Sequence, residues 1–437
     1  MISRPILMNS VAPVYLLIAL ATPLVAGERL VSDPESARKA VREAAPGDVV
    51  VLAAGEWRDA DLRLEGEGTE DRPIVIRAES PGETILVGDS RVRLGGRHLE
   101  LRGIWLRDLS AAKGDWMEFR IDSKRRALRC RVSDCAFTES TGAASAKENR
   151  WLGIYGEGNA VERCLFEGKK NKGATVVVWL GEDDPGGHRI VANRFGGRPQ
   201  LGGNGGETIR IGDSATSTQQ ADCLVEGNLF LRCDGETECV SNKSCGNVYR
   251  GNFFVETQGT LTLRHGEDCL VEGNVFLGRE RSRTGGIRVI GKGHRVVGNR
   301  LEGLRGDGFR AALCLVNGIP DSPANGYHQV VGTEIRDNLL LDCKDSVVVG
   351  YNDVEAAILA PREIGFSNNR IRPAKDGLAV RFVSEATGVS WKDNLHSGRI
   401  EGFAPVEGLR QVDPRELGEA PVAPPDPASF GPPWWRK

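Results

Sequence analysis

Glu236 and Glu238 stand two apart in the segment DGETECV. On an extended backbone, residues i and i+2 project from the same face. Two carboxylates side by side, with an amide oxygen in reach, make an oxygen-rich set suited to a hard cation such as calcium. Asn204, in NGGETIRIG, is the candidate amide, and Lys243 and Arg264 are cations that fall in phase with it. The plainer reading of an ExE pair is two solvated acids on an exposed strand. What separates the readings is whether residues spread from 204 to 264 arrive at one place, and that depends on the elements that carry them.

Those elements repeat. An Asn, usually followed by an apolar or aromatic pair, recurs at Asn193, Asn228, Asn252, Asn274, Asn299, Asn338, Asn369 and Asn394, with steps of 35, 24, 22, 25, 39, 31 and 25 residues. A common step of 22–25 with longer exceptions fits coils of fixed circumference carrying occasional loop insertions. CAF at Cys135 and CLF at Cys164 read as degenerate members of the same ladder. Each unit offers short strands that cannot bury an apolar face alone, so neighbouring units must stack. A β-sandwich with chance Asn placement is the competing fold.

The repeat also serves as a ruler. Asn204 lies 11 past Asn193, Glu236 and Glu238 lie 8 and 10 past Asn228 with Lys243 at 15, and Arg264 lies 12 past Asn252. If each repeat is one coil, these five share an angular sector on successive turns about 4.8 Å apart. Arg283 and Arg288, 9 and 14 past Asn274, and Arg310, 11 past Asn299, extend that sector as an expected substrate-binding Arg column. Tyr249 is either a packing residue or a sugar platform. Lys169, Lys170 and Lys172 read as a basic turn.

Composition agrees with β structure: the 437 residues include 55 Gly, and the Val/Ile/Leu runs are short. Only one helix is expected. Asp33 would cap it, Pro34 would open it, and Pro46-Gly47-Asp48 would end it before the strand Val49–Leu52, placing a short N-terminal helix over the open end of a solenoid. The ten Cys sit mostly in apolar runs and form no CxxC, so neither a disulfide framework nor a zinc site is expected, although one disulfide stays open. A net charge of −3 gives no global attraction for a polyanion, so binding one requires a local basic strip within about 8–10 Å. No dinucleotide fingerprint, phosphate loop or GxSxG is present, and nothing supports nucleic-acid binding.

Arg4 followed by the apolar stretch Val11–Ala26 and the small residues at Val25-Ala26-Gly27 reads as a secretory leader, with a membrane anchor as the alternative. The expected organisation is a leader at 1–27, one β-helix domain at 28–419 and a Pro-rich, irregular tail at 420–437. The expected location is periplasmic or secreted, with no membrane association after cleavage. Oligomeric state is not legible.

Taken together, NGGETIRIG (Asn204–Gly212), ETECVSNKS (Glu236–Ser244), GNVYRGN (Gly246–Asn252), GTLTLRHG (Gly259–Gly266), KKNKGATVVVWL (Lys169–Leu180) and PGDVVVLAAGEW (Pro46–Trp57) resemble the core motifs of polysaccharide lyase family 6, which contains chondroitinase B and many alginate lyases. The resemblance implies an all-β, right-handed parallel β-helix with calcium held by Asn204, Glu236 and Glu238. It also implies Lys243 as base and Arg264 as acid. One departure is ERC at Glu162–Cys164, where many relatives resemble DHC. The implied chemistry suits these residue types. Elimination across a 4-linked uronate removes a weakly acidic C5 proton, and a cation on the adjacent carboxylate stabilises the enolate-like intermediate. Lys243 must be neutral to accept that proton, and a nearby cation and Arg264 disfavour its charged form. Arg264 holds its proton tightly and suits charge stabilisation better than literal proton donation. His265 is then either an alternative donor or a brace for Arg264. The expected enzyme is a carbon–oxygen lyase acting on an anionic polysaccharide, alginate first and chondroitin or dermatan chains second. A β-helical glycoside hydrolase and a non-catalytic carbohydrate-binding β-helix are the readings from other classes.

Overall fold

The computed structural model describes residues 27–110, 114–140, 148–352, 354–402 and 407–435. The expected leader at 1–27 lies outside them except for Gly27. Among the described residues no helix is long and apolar enough to cross a membrane.

Parallel strands stack into a β-helix. One sheet adds fourteen strands in chain order, from Glu28–Val31 to Ser390–Lys392. The remaining strands form two further parallel columns, which merge where the long strands Leu339–Tyr351 and Arg370–Phe382 run through both. Parallel strands joined this way take the right-handed crossover. The single α-helix among the described residues, Pro34–Glu43, begins where expected: the Asp33 side chain accepts from the backbone N–H groups of Glu35 and Ser36 at 2.9 Å. It buries Ala37, Ala40 and Val41 and packs chiefly on the strand Asp61–Glu67.

The Asn repeat is a continuous hydrogen-bond ladder inside the solenoid. From Asn193 to Asn369, each Asn donates both its backbone N–H and its Nδ2 to the Oδ1 of the next ladder Asn, at 2.8–3.0 Å. The backbone N–H of Cys164 donates to Asn193 Oδ1, so the degenerate turn joins the ladder as an end that only donates. The residue before each ladder Asn has a positive φ, which explains the recurrent GN, DN and NN pairs. Beside the ladder, Phe137, Phe166, Phe195, Phe230, Phe254 and Phe276 stack with centroids 4.4–5.1 Å apart, the spacing of the coils themselves. All ten Cys are free and buried, as small apolar residues are in such a core.

The tail returns along the outside of the coils. Glu419 pairs with Arg300 and Arg370, Phe430 packs on Phe253, and Trp434 donates its Nε1–H to Asp134 O at 2.7 Å. Trp435 meets Trp105 edge to face at 5.3 Å. Both tail tryptophans therefore pack on the body.

Candidate active site

Four adjacent strands build the site: Ile209–Gly212, Glu238–Lys243, Thr260–His265 and Ile287–Val289. Ile209, Val240, Leu261 and Ile287 align across them and face the core. The next position along each strand therefore faces outward, which puts Arg210, Ser241, Thr262 and Arg288 in one row. Between Glu238–Lys243 and Thr260–His265 the register slips twice. Cys239 is the extra residue of the first slip and Arg264 of the second. A bulge re-aims the side chains around it. Here the bulges adjoin Glu238 and carry Arg264.

Nine of the ten candidate site residues line one open cleft of about 860 Å³: Asn204, Glu236, Glu238, Lys243, Arg264, His265, Arg283, Arg288 and Arg310. Tyr249 does not. It is fully buried, and its hydroxyl donates to Asn242 Oδ1 at 2.8 Å, so it is a core residue and offers no sugar platform. Its strand alternates inward and outward, and position 249 is an inward one.

The acid end of the cleft holds Glu207 as well as Glu236 and Glu238. Burial first, and then the negative neighbours Glu207 and Glu238, push the Glu236 carboxyl up to about 8. Glu207 Oε2 is buried without a hydrogen-bond partner. Crowded, desolvated carboxylates of this kind fit a hard divalent cation, which would relieve their repulsion and take up unused lone pairs. Among the described residues no group of three His, Cys, Asp or Glu side chains is placed to hold a metal alone, so a cation here would need the amide oxygen of Asn204 as well. Glu207 was missed in the sequence although it stands three residues past Asn204 in the same motif.

The cationic end is arranged by a loop. Arg264 donates Nη1–H to Gly326 O at 2.6 Å and Nη2–H to Asn325 O at 3.2 Å, and its guanidinium lies 4.2 Å from the Tyr327 ring centre. Its Nε is 3.8 Å from Glu238 Oε1, the same distance as Arg288 Nη1 from that oxygen. Arg288 also donates to Tyr327 Oη at 3.2 Å, and its side chain is only 4% exposed. Arg310 reaches back to Thr237 Oγ1 at 3.0 Å and to Gln258 O at 3.2 Å. Burial, then Arg283 and Arg288, lower its proton affinity. Arg283, Arg288 and Arg310 thus gather in a cluster, where spacing had suggested a column continuing the sector toward the C-terminal coils.

Lys243 lines the same cleft, and no described carboxylate pairs with it. His265 is 2% exposed, and burial, Arg264, Lys243 and His328 push it down to about 3. The imidazole is therefore neutral near neutral pH. Arg210, on the outward row, lies 5.0 Å from the Trp179 ring centre and also lines the cleft; it too was missed. Lys169, expected in a basic turn, is buried. It donates to Asn149 Oδ1 at 3.3 Å and to the carbonyls of Asn171 and Lys172 at 3.2 Å, and burial pushes it down to about 6. Glu162, the departure from the resembled pattern, pairs with Arg131 and Arg163 outside the cleft and leaves the site intact.

The family profile described as Chondroitinase B matches residues 31–397. The chain belongs to the chondroitinase B family, polysaccharide lyase family 6. Among solved structures it is similar to the PL6 alginate lyase AlyGC, at 37% identity and TM-score 0.84, over 89% of this chain and 53% of that one. The chain thus spans about half the length of that lyase. It is also similar to a mannuronic acid-specific family 6 lyase from human gut microbiota, at 27% identity and TM-score 0.79, covering 93% of this chain and 96% of the other. The family 6 lyase Pedsa3628 from Pseudopedobacter saltans, at 22% identity and TM-score 0.73 over 93% of this chain and 99% of its own, shares the fold. No curated protein matches the chain in sequence.

Proposed function

We propose that this chain is a polysaccharide lyase that cleaves a 4-linked uronate polymer, alginate first, by calcium-assisted β-elimination. The observation that carries the reading is the meeting, in one cleft, of buried carboxylates, a Lys with no acidic partner among the described residues and a guanidinium held by backbone carbonyls. Asn204, Glu236 and Glu238 would hold the calcium, with Glu207 beside them. When bound there, calcium supplies a Lewis acid for the uronate carboxylate and lowers the energy of the enolate-like intermediate.

The chain's own residues do the rest. Lys243 takes the C5 proton. Arg264, fixed by Gly326 and Asn325, keeps its charge beside the departing O4 and stabilises the negative charge that develops there. A neutral, buried His265 is a poor acid, so its part is to brace Arg264, and water supplies the leaving-group proton. Arg283 and Arg310 bind uronate carboxylates on the sugars adjoining the scissile bond.

Alginate is placed first because AlyGC and the gut enzyme, both above 25% identity, are described as acting on alginate or mannuronate. The second reading, a chondroitin or dermatan lyase, is favoured by the Arg283, Arg288 and Arg310 cluster, which has the charge to take a sulfate. Ultraviolet absorbance of the unsaturated product, followed on polymannuronate, polyguluronate, mixed alginate and dermatan sulfate, separates the two. Alginate turnover at least about tenfold faster than dermatan sulfate is expected, a difference of about 1.4 kcal/mol in the barrier. Turnover of dermatan sulfate alone would move the assignment to the second reading.

A further inference from the structure

Arg198 ends the strand Arg194–Arg198, one coil before Glu236, and is 3% exposed. Its guanidinium binds four oxygens on two successive coils. Nη1–H goes to Thr175 Oγ1 at 2.5 Å, and Nη2–H is shared among Gly173 O at 2.8 Å, Gly205 O at 3.3 Å and Asn171 O at 3.4 Å. Gly205 directly follows Asn204. On the next coil Gly235 directly precedes Glu236, and a Cβ on it would sit 2.5 Å from Arg198 Nε and 2.1 Å from Gly206 O. Gly206 N–H in turn donates to Glu236 Oε2 at 3.2 Å. Both turns that carry the candidate cation ligands therefore rest on one buried guanidinium.

A lone buried guanidinium is costly unless countercharge is close. Burial pulls Arg198 down to about 10, opposed first by Glu207 and then by Cys233 and Glu236, so it stays charged. The charge and the hydrogen-bond fork act on the same two turns. A Lys has the charge without the planar fork.

We propose that Arg198 is a positioning residue of the cation site: it fixes the Asn204–Glu207 turn against the preceding coil and holds positive charge behind Glu207 and Glu236. The inference rests on the calcium reading above. A residue that acts only on folding would alter melting temperature and leave cation affinity alone, whereas a positioning residue alters affinity in a folded protein.

The test is calorimetric titration of calcium chloride into the EDTA-stripped full-length protein, for wild type, Arg198→Lys, Arg198→Met and Thr175→Val. Circular dichroism reports folding, and activity is read against calcium concentration. Calcium affinity is expected to fall about tenfold or more in Arg198→Lys, further in Arg198→Met, and about threefold in Thr175→Val. The calcium needed for half-maximal activity should rise in step, with much of kcat returning at saturating calcium. Thr175→Val removes one small anchor and carries the test if the Arg198 variants do not fold. Unchanged calcium affinity in folded Arg198→Lys and Thr175→Val would overturn the inference. A wild type that binds no calcium would overturn the calcium reading and this inference with it.

Discussion

Lys243 shares the cleft with Arg264 and Arg288, both of which lie 3.8 Å from Glu238 Oε1. The lysine lines that space, and among the described residues no carboxylate forms an ion pair with it. Lys243→Ala should therefore lower kcat by about a thousandfold or more while circular dichroism stays unchanged, because general-base catalysis and oriented charge both depend on that amine. Activity near the wild-type level in a folded variant would remove Lys243 from the role of base. Tyr249 makes the opposite case. Tyr249→Phe deletes a buried hydroxyl bonded to Asn242 and should cost about 1–2 kcal/mol in urea unfolding, with KM for polymer unchanged. At this scale the sequence was legible where a side chain's place follows from strand alternation and coil phase. It was not legible where a polar tip finds its partner inside the core, as Tyr249 does on Asn242, or where an acid such as Glu207 gains meaning only from a neighbour a coil away.

Among the elements, the Asn ladder was read as a period and proved to be a set of bonds. Each interior Asn both donates to and accepts from its neighbours, so Asn274→Ala strands the backbone N–H of Asn252 on one side and removes the Nδ2 donor to Asn299 Oδ1 and Tyr249 O on the other. A loss of about 2–4 kcal/mol is expected, measured as a shift in the urea midpoint. Two other turns use His as acceptor: His188 Nδ1 takes the N–H of Asn159 at 3.0 Å, and His294 Nδ1 takes that of Cys269 at 3.2 Å. Burial holds both rings down to about 4. Because the folded rings resist protonation more than the unfolded ones, stability should be full above about pH 6.5 and fall as pH drops toward 4, by about 2 kcal/mol per ring at pH 5. His188→Asn and His294→Asn should each remove that share of the slope, read from urea midpoints at pH 7.5 and pH 5. Six His were plain in the sequence, but which of them faced inward was not, since a lone His carries no period.

The whole molecule supplies what no segment shows. Counting from the ladder placed five distant residues in one sector because parallel coils add a fixed height per turn and keep their phase. The 39-residue step between Asn299 and Asn338 marked an insertion, but not that its residues 325–327 fold back over Arg264 and Arg288. Nor did spacing show the two register slips that aim Arg264. Such placements depend on contacts between coils, which a linear count does not contain. The tail is similar: its Pro-rich composition spoke for irregular chain, while its seat on Phe253, Trp105 and Asp134 is a property of the assembled surface.

The most direct measurement of the central claim records ultraviolet absorbance and new reducing ends on one alginate digest, first with calcium, then with EDTA, then with calcium restored. Calcium-assisted elimination predicts that the two signals rise together in equal amounts, stop with chelation and resume on adding calcium back. Reducing ends without absorbance, or turnover indifferent to EDTA, would contradict it.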